Sequence, residues 1–134
     1  MIFDNLQDAV LLIGVEADNN FRLLLCNEAF ARDSGYSKES MGKLIKDIVK
    51  PSSYAALIER YQQALTSKKT VKYIDWFHVP LGKQAYEITL IPILNAVGES
   101  VQILAITRNV TELYLLREKV EKITDIITDA PKGK

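Results

Sequence analysis

A chain of 134 residues carries 17 basic and 17 acidic side chains, so no global charge draws it toward nucleic acid or anionic lipid. That length suits one domain with one core, and 48% hydrophobic with 25% charged residues is the balance of a soluble globular protein. The single cysteine, Cys26, excludes an internal disulfide and makes the cytoplasm the expected compartment.

In chain order, "MIFDNLQD" predicts a short amphipathic helix over residues 1–8, with Ile2, Phe3 and Leu6 on one side. This start lacks the basic stretch and small-residue cleavage site of a signal peptide. The longest apolar run, residues 9–15, is far too short for a membrane span. A chain of this size can still be one domain of a longer, membrane-anchored protein. "AVLLIGVE" and "FRLLLCN" flank the turn-forming "ADNN" and predict a hairpin. In "NEAFARDSG", Asn27 is placed to cap a short helix and Gly35 to end it. "KESMGKLIKDIV" holds another turn or two, and Pro51 with its serines restarts a helix.

That helix, "SYAALIERYQQALTS", places Tyr54, Leu57, Ile58, Tyr61 and Leu65 on one stripe, which must cover something apolar. "TVKYIDWFHVP", "KQAYEITLIPI" and "ESVQILAITRN" read as three consecutive antiparallel strands, with Gly82 and Gly98 in the turns. The predicted class is α+β: a five-stranded antiparallel sheet with helices gathered on one face and a final helix. The helices lie between strands two and three, so their connection must cross the sheet and leave an interior between helices and sheet.

Three stretches carry a resemblance. "CNEAFARDSGYS" is similar to the strand-to-helix "N-x-A-F-x-x-x-x-G-Y-S" segment of PAS domains. "YEITLIPIL" is similar to their penultimate strand, which ends in a proline, and "VQILAITRNVTEL" to their last strand and its closing "D-I-T" signature. Here that signature reads Asn109, Val110, Thr111, a departure at its first position. The resemblance covers nearly the whole chain. It implies a signal-input module at residues 1–111, followed by a connector at residues 112–134. Such modules sit ahead of histidine kinases, diguanylate cyclases or transcriptional activators. The resemblance also implies a ligand pocket between helices and sheet, and a final helix paired with its own copy.

Strand alternation groups Tyr73, Asp75, Phe77 and Val79 on one face, with Trp76 and His78 on the other. It also groups Tyr86, Ile88 and Leu90, and Ile103, Ala105 and Thr107. The resemblance turns the first group and the last two inward, toward Tyr54, Ile58 and Tyr61. The candidate pocket is therefore Tyr54, Ile58, Tyr61, Tyr73, Asp75, Phe77, Tyr86, Ile88, Ile103 and Ala105. Its tyrosine hydroxyls and Asp75 would be the polar anchors of a mostly apolar site. The plain alternative is that the five aromatics fill the core, making the chain a ligand-free dimerisation or protein-interaction module.

No residue names a ligand. The cysteine-bearing helix motif of light-sensing members is not found, and the helix at residues 53–67 has no histidine to hold haem. Cys26 suits a small buried position. His78, the only histidine, has no companion cysteine or carboxylate cluster for a metal. Asp4 with Asp8 and Glu118 with Glu121 read as solvated pairs. No nucleophile elbow or phosphate loop occurs, so the expectation is a non-enzyme with no catalytic residue and no metal or cofactor, an unidentified small molecule excepted.

After Arg108 the period changes from two to three-and-four. Leu113, Leu116, Val120, Ile123 and Ile127 fit heptad positions a and d, and Ala130 extends the series. In a parallel pair Glu112 at g faces Arg117 at e. Asn109 followed by Glu112 resembles a capping box. About two heptads are present, fewer than the three or four of a secure coiled coil, and Leu115 and Ile126 broaden the seam. The reading is a homodimer relaying to a covalently linked effector, with no direct nucleic-acid contact. The alternative is a helix folded back on its own sheet.

Overall fold

The computed structural model describes residues 8–34, 38–79 and 82–129. The helix expected at residues 1–8, apart from Asp8, lies outside them, as do Gly35 and Ala130. Strands β1 (Ala9–Glu16) and β2 (Asn20–Cys26) form the expected hairpin. Asp18 and Asn19 make its turn with φ of 62° and 58°, a left-handed conformation that these short polar side chains tolerate. Arg22 clamps the hairpin through two hydrogen bonds to the Glu16 carboxylate, at 2.6 and 3.2 Å, and one to the Gly42 carbonyl at 2.7 Å. The Arg22 hydrogen bond holds the Glu16 carboxyl below its ordinary range.

Asn27, fully buried, acts as predicted and does more. Its Oδ1 accepts from the Phe30 amide at 3.2 Å to cap α1 (Glu28–Ser34), and from the Val10 amide at 3.0 Å. Its Nδ2 donates to the Asp8 carbonyl at 2.8 Å, so one amide fastens the entry to β1 onto the start of α1. Two short 3-10 turns, Lys38–Ser40 and Ile45–Asp47, fill the next stretch. Helix α2 (Pro51–Ser67) begins with proline in its first turn and ends at Lys68 in the left-handed conformation, whose amide donates to the Ala64 carbonyl at 2.9 Å.

Strands β3 (Val71–Val79), β4 (Gly82–Leu94) and β5 (Ser100–Asn109) follow as consecutive antiparallel partners. Asn95 closes the β4–β5 turn by accepting at 3.0 Å from the Val97 and Glu99 amides, and Gly98 supplies its φ of 84°. The sheet order is β2-β1-β5-β4-β3. β5 therefore sits in the centre, while α1 and α2 carry the chain from the β2 edge to the β3 edge. This is the predicted α+β arrangement.

The core lies between α2 and one sheet face. Ile13, Phe21, Leu23, Leu90 and Ile103 are almost wholly buried there, with Tyr61 and Ala64 of α2 against them. Ser100 Oγ donates to the Leu65 carbonyl at 3.2 Å and ties the end of α2 to β5.

Helix α3 (Thr111–Asp129) leaves the end of β5. Its start corrects the capping-box expectation. The first helical bond runs from the Tyr114 amide to the Val110 carbonyl at 2.9 Å, so Val110 is the cap residue. Asn109 acts one position earlier, accepting from the Thr111 amide at 3.0 Å. The reason is the hydroxyl of Thr111, which accepts from the buried Ala85 amide at 2.8 Å and sets where the helix can begin.

Candidate functional site

Register places the predicted inner residues in cross-strand rows. Tyr73 stands opposite Ile88, which stands opposite Thr107; Val71, Leu90 and Ala105 form the next row; Asp75, Tyr86 and Asn109 form another. Side chains two apart on a strand share a face, so these rows line one surface. α2 adds Tyr54, Ile58 and Tyr61.

Coverage of this surface is uneven. Under the second half of α2 it is closed: Tyr61 and Ala64 are buried, and the Tyr61 ring meets Phe21 edge-on with centroids 5.1 Å apart. Ile88, Ile103, Ala105 and Tyr86 are buried with them. Under the first half of α2 the cover is partial: Tyr54, Leu57 and Ile58 are half-buried and packed against that core, as is Tyr73. Phe77 packs on Tyr86 at 5.9 Å between centroids yet stays 36% exposed.

Asp75 departs from the expectation of a buried polar anchor. It is exposed, and its Oδ1 accepts from its neighbour Trp76's amide at 2.9 Å. β3 is an edge strand with a partner on one side only, so a carboxylate there keeps its water rather than losing it in an apolar site. The sequence-predicted set thus divides: Tyr61, Tyr86, Ile88, Ile103 and Ala105 belong to the packed core, Tyr54, Ile58 and Tyr73 pack half-buried against it, and Phe77 and Asp75 are exposed.

The phenols under α2 are neutral. Burial pushes the Tyr73 hydroxyl up to about 12, with Arg60, whose guanidinium lies 4.3 Å over the ring centroid, pulling down and Asp75 pushing up. Burial, reinforced by Tyr73 and Tyr54, raises Tyr61 still further above the ordinary tyrosine range. Both hydroxyls stay protonated at any physiological pH. The surface offers stacking and neutral hydrogen bonds, with one guanidinium at its rim.

Elsewhere, a recess of about 460 Å³ runs along α2 between Glu59, Gln62, Gln63, Thr66 and Ser67, and none of the candidate pocket residues lines it. Cys26 is buried and His78 exposed. Among the described residues no group of three or more His, Cys, Asp or Glu could hold a metal. Among them, too, no helix is long and apolar enough to cross a membrane.

The second functional feature is the root of α3. Thr111 Oγ1 donates to Asn109 Oδ1 at 2.7 Å while accepting from the Ala85 amide, and the Val110 amide donates to the Ala85 carbonyl at 2.9 Å. Asn109 Nδ2 donates to Gln84 Oε1 at 3.0 Å. One turn on, Tyr114 meets Trp76 of β3 edge-on at 6.4 Å, with Arg117 over Tyr114 and Lys83 over Trp76. Trp76, Lys83, Gln84 and Ala85 all belong to the β3–β4 hairpin. Sequence reasoning took Thr111 only as a boundary and missed Tyr114, Gln84 and Ala85. The Asn-x-Thr spacing was a legible turn signal, but its partner in β4 was not.

Beyond that root the helix is bare. Leu113, Leu116, Val120, Ile123 and Ile127 are exposed by 50% to 69%, and Leu115 and Ile126 are exposed beside them.

The sequence matches the family described as "PAS fold" over residues 3–115. No curated protein matches it. Among solved structures, a PAS domain of a protein from Colwellia psychrerythraea is 20% identical with a TM-score of 0.65, over 82% of this chain and 92% of that one. A sensory box sensor histidine kinase structure from Vibrio cholerae is 20% identical with a TM-score of 0.63, over 82% and 86%. An RNA-binding light-oxygen-voltage receptor is 20% identical with a TM-score of 0.69 over 95% of this chain, which spans 36% of that protein's chain. At these identities the likeness is one of fold.

Proposed function

The chain belongs to the PAS fold family, and on that premise we propose that it is the signal-input domain of a larger cytoplasmic regulatory protein. Residues 1–111 form the sensor and residues 112–134 the connector. A small ligand or a partner binds at the half-covered surface of Tyr54, Ile58, Tyr73 and Phe77. The connector pairs in parallel with its copy in a second chain and relays the change to an effector: a histidine kinase, diguanylate cyclase or transcriptional activator. The sensory box histidine kinase among the structural neighbours supports that class of effector. A relay requires the ligand to bind two arrangements of the hairpin with unequal affinity.

One observation carries this reading: α3 is rooted firmly in the β3–β4 hairpin, yet its apolar seam is exposed along its length. Such a helix is built to hold something other than its own sheet. The experiment is Leu116→Cys, read against Glu118→Cys on the opposite side of the helix. Cys26 is buried, so a disulfide between chains reports the new thiol. Mild oxidation is expected to link Leu116→Cys, a d position, into covalent dimers and to leave Glu118→Cys monomeric. A monomeric Leu116→Cys would contradict parallel pairing.

The packed half of the inner face, with Tyr61 and Ala64 against the sheet, favours a second reading in which the domain is a ligand-free dimerisation module. Native mass spectrometry separates the two: a small molecule retained by the purified chain supports the sensor, and a bare chain supports the module.

A further inference from the structure

Arg22 and Arg60 are partnered differently. Arg22 donates two hydrogen bonds to the Glu16 carboxylate. Arg60, on the flank of α2, meets no carboxylate and makes no hydrogen bond among the described residues. Its neighbour Glu59 lies on the far side of the helix and lines the outer recess. The Arg60 guanidinium instead lies 4.3 Å over the centroid of the Tyr73 ring. A guanidinium stacked this way covers the ring with its flat face and keeps its N–H donors at its edge. Arg60 is exposed, so that edge is open to a ligand. A second observation points the same way. The hydroxyls of Tyr54, Tyr61 and Tyr73 make no hydrogen bond among the described residues. Tyr61 is 4% exposed, and Tyr54 and Tyr73 pack half-buried against its core. Both lie near enough to Tyr61 to act on it electrostatically. A buried hydroxyl ordinarily has a partner. Burial keeps the Tyr61 and Tyr73 hydroxyls protonated, so they stand ready as donors.

One cation and several phenolic donors thus gather between α2 and β3, and what they lack is an acceptor that carries negative charge. We propose that this surface takes a small monocarboxylate with an apolar body, its carboxylate held by the edge of the Arg60 guanidinium and by the Tyr73 hydroxyl. That assignment rests on the sensor reading above and names the chemistry of its ligand. A carboxylate matches the planar fork of a guanidinium with two parallel hydrogen bonds. The half-buried side chains of Tyr54 and Ile58 on the same stripe of α2 give the apolar body its cover. Charge limits the class. Asp75 is near enough to Tyr73 to push its hydroxyl up, and Arg60 pulls it down. One cation beside one carboxylate accommodates a single further negative charge, whereas a phosphate dianion would add repulsion from Asp75.

Titration calorimetry of the full chain with benzoate, its neutral analogue benzamide and inorganic phosphate tests this, alongside Arg60→Gln and Tyr73→Phe. Benzoate is expected to bind saturably with a millimolar or tighter dissociation constant, and benzamide and phosphate about tenfold more weakly or not at all. Arg60→Gln, at an exposed position, is expected to weaken benzoate about tenfold, the loss of one charged hydrogen-bonded pair, with the thermal midpoint unchanged. Tyr73→Phe keeps the ring under the guanidinium and removes only the hydroxyl; it is expected to weaken benzoate about fivefold. Benzamide bound as tightly as benzoate, or benzoate bound unaltered by Arg60→Gln, overturns the carboxylate assignment and leaves a sensor of neutral ligands standing. Phosphate bound as tightly as benzoate overturns the apolar body. Saturation by none of the three probes overturns the assignment as well. Native mass spectrometry then tells whether the sensor reading falls with it: a retained small molecule keeps that reading, and a bare chain removes both.

Discussion

The stripe on α2 (Tyr54, Leu57, Ile58, Tyr61, Leu65) and the seam on α3 (Leu113, Leu116, Val120, Ile123, Ile127) share the same three-and-four spacing, yet the structure treats them oppositely. Tyr61 of the first is 4% exposed; Ile127 of the second is 69% exposed. Periodicity says that a helix has an apolar face. What covers that face is decided by where the helix is rooted. α2 lies on the inner surface over β3, β4 and β5. α3 hangs from the end of β5 by a hydrogen-bonded latch and points away. Covering a leucine or isoleucine contributes roughly 1.5–3 kcal/mol. α2 has already gained that stabilisation, and α3 still holds it as a drive to associate.

The largest test of this contrast is truncation on each helix. Tyr61→Ala removes a buried ring from its edge-on contact with Phe21 and is expected to lower the unfolding free energy by about 3–5 kcal/mol in urea titration. Val120→Ala, measured where the chain is monomeric, is expected to change it by less than about 0.5 kcal/mol. Equal losses at the two sites would mean that the seam is already covered within one chain.

A smaller effect sharpens the account of the root. Thr111→Val keeps the shape of the side chain but leaves the buried Ala85 amide without its 2.8 Å acceptor. The expected loss is about 1–3 kcal/mol. Hydrogen exchange at Ala85 should quicken together with exchange in the first turn of α3. Faster exchange at Ala85 alone would show that the latch does not position the helix.

Much of this was legible in advance. The apolar run "AVLLIGVE", the alternation in "YEITLIPIL" and the glycines at 82 and 98 placed the strands to within a residue or two, because each signal is local. Asn27 was legible as a cap for the same reason. What escaped depends on contacts distant in sequence. The exposure of Asp75 follows from β3 being an edge strand. The one-residue shift at the start of α3 follows from a hydroxyl meeting an amide 26 positions away. Tyr114 went unmarked in the sequence because only the exit direction of the helix sets it on Trp76.

The central claim is that the α3 seam is covered by a second copy of the chain, and sedimentation equilibrium with seam variants tests it most directly. The unaltered chain is expected to sediment as a dimer in concentration-dependent exchange with monomer. Val120→Lys with Ile123→Lys is expected to sediment as a monomer with unchanged helical circular dichroism. An unaltered chain that remains monomeric at every concentration, or a double variant that remains dimeric, would contradict the account.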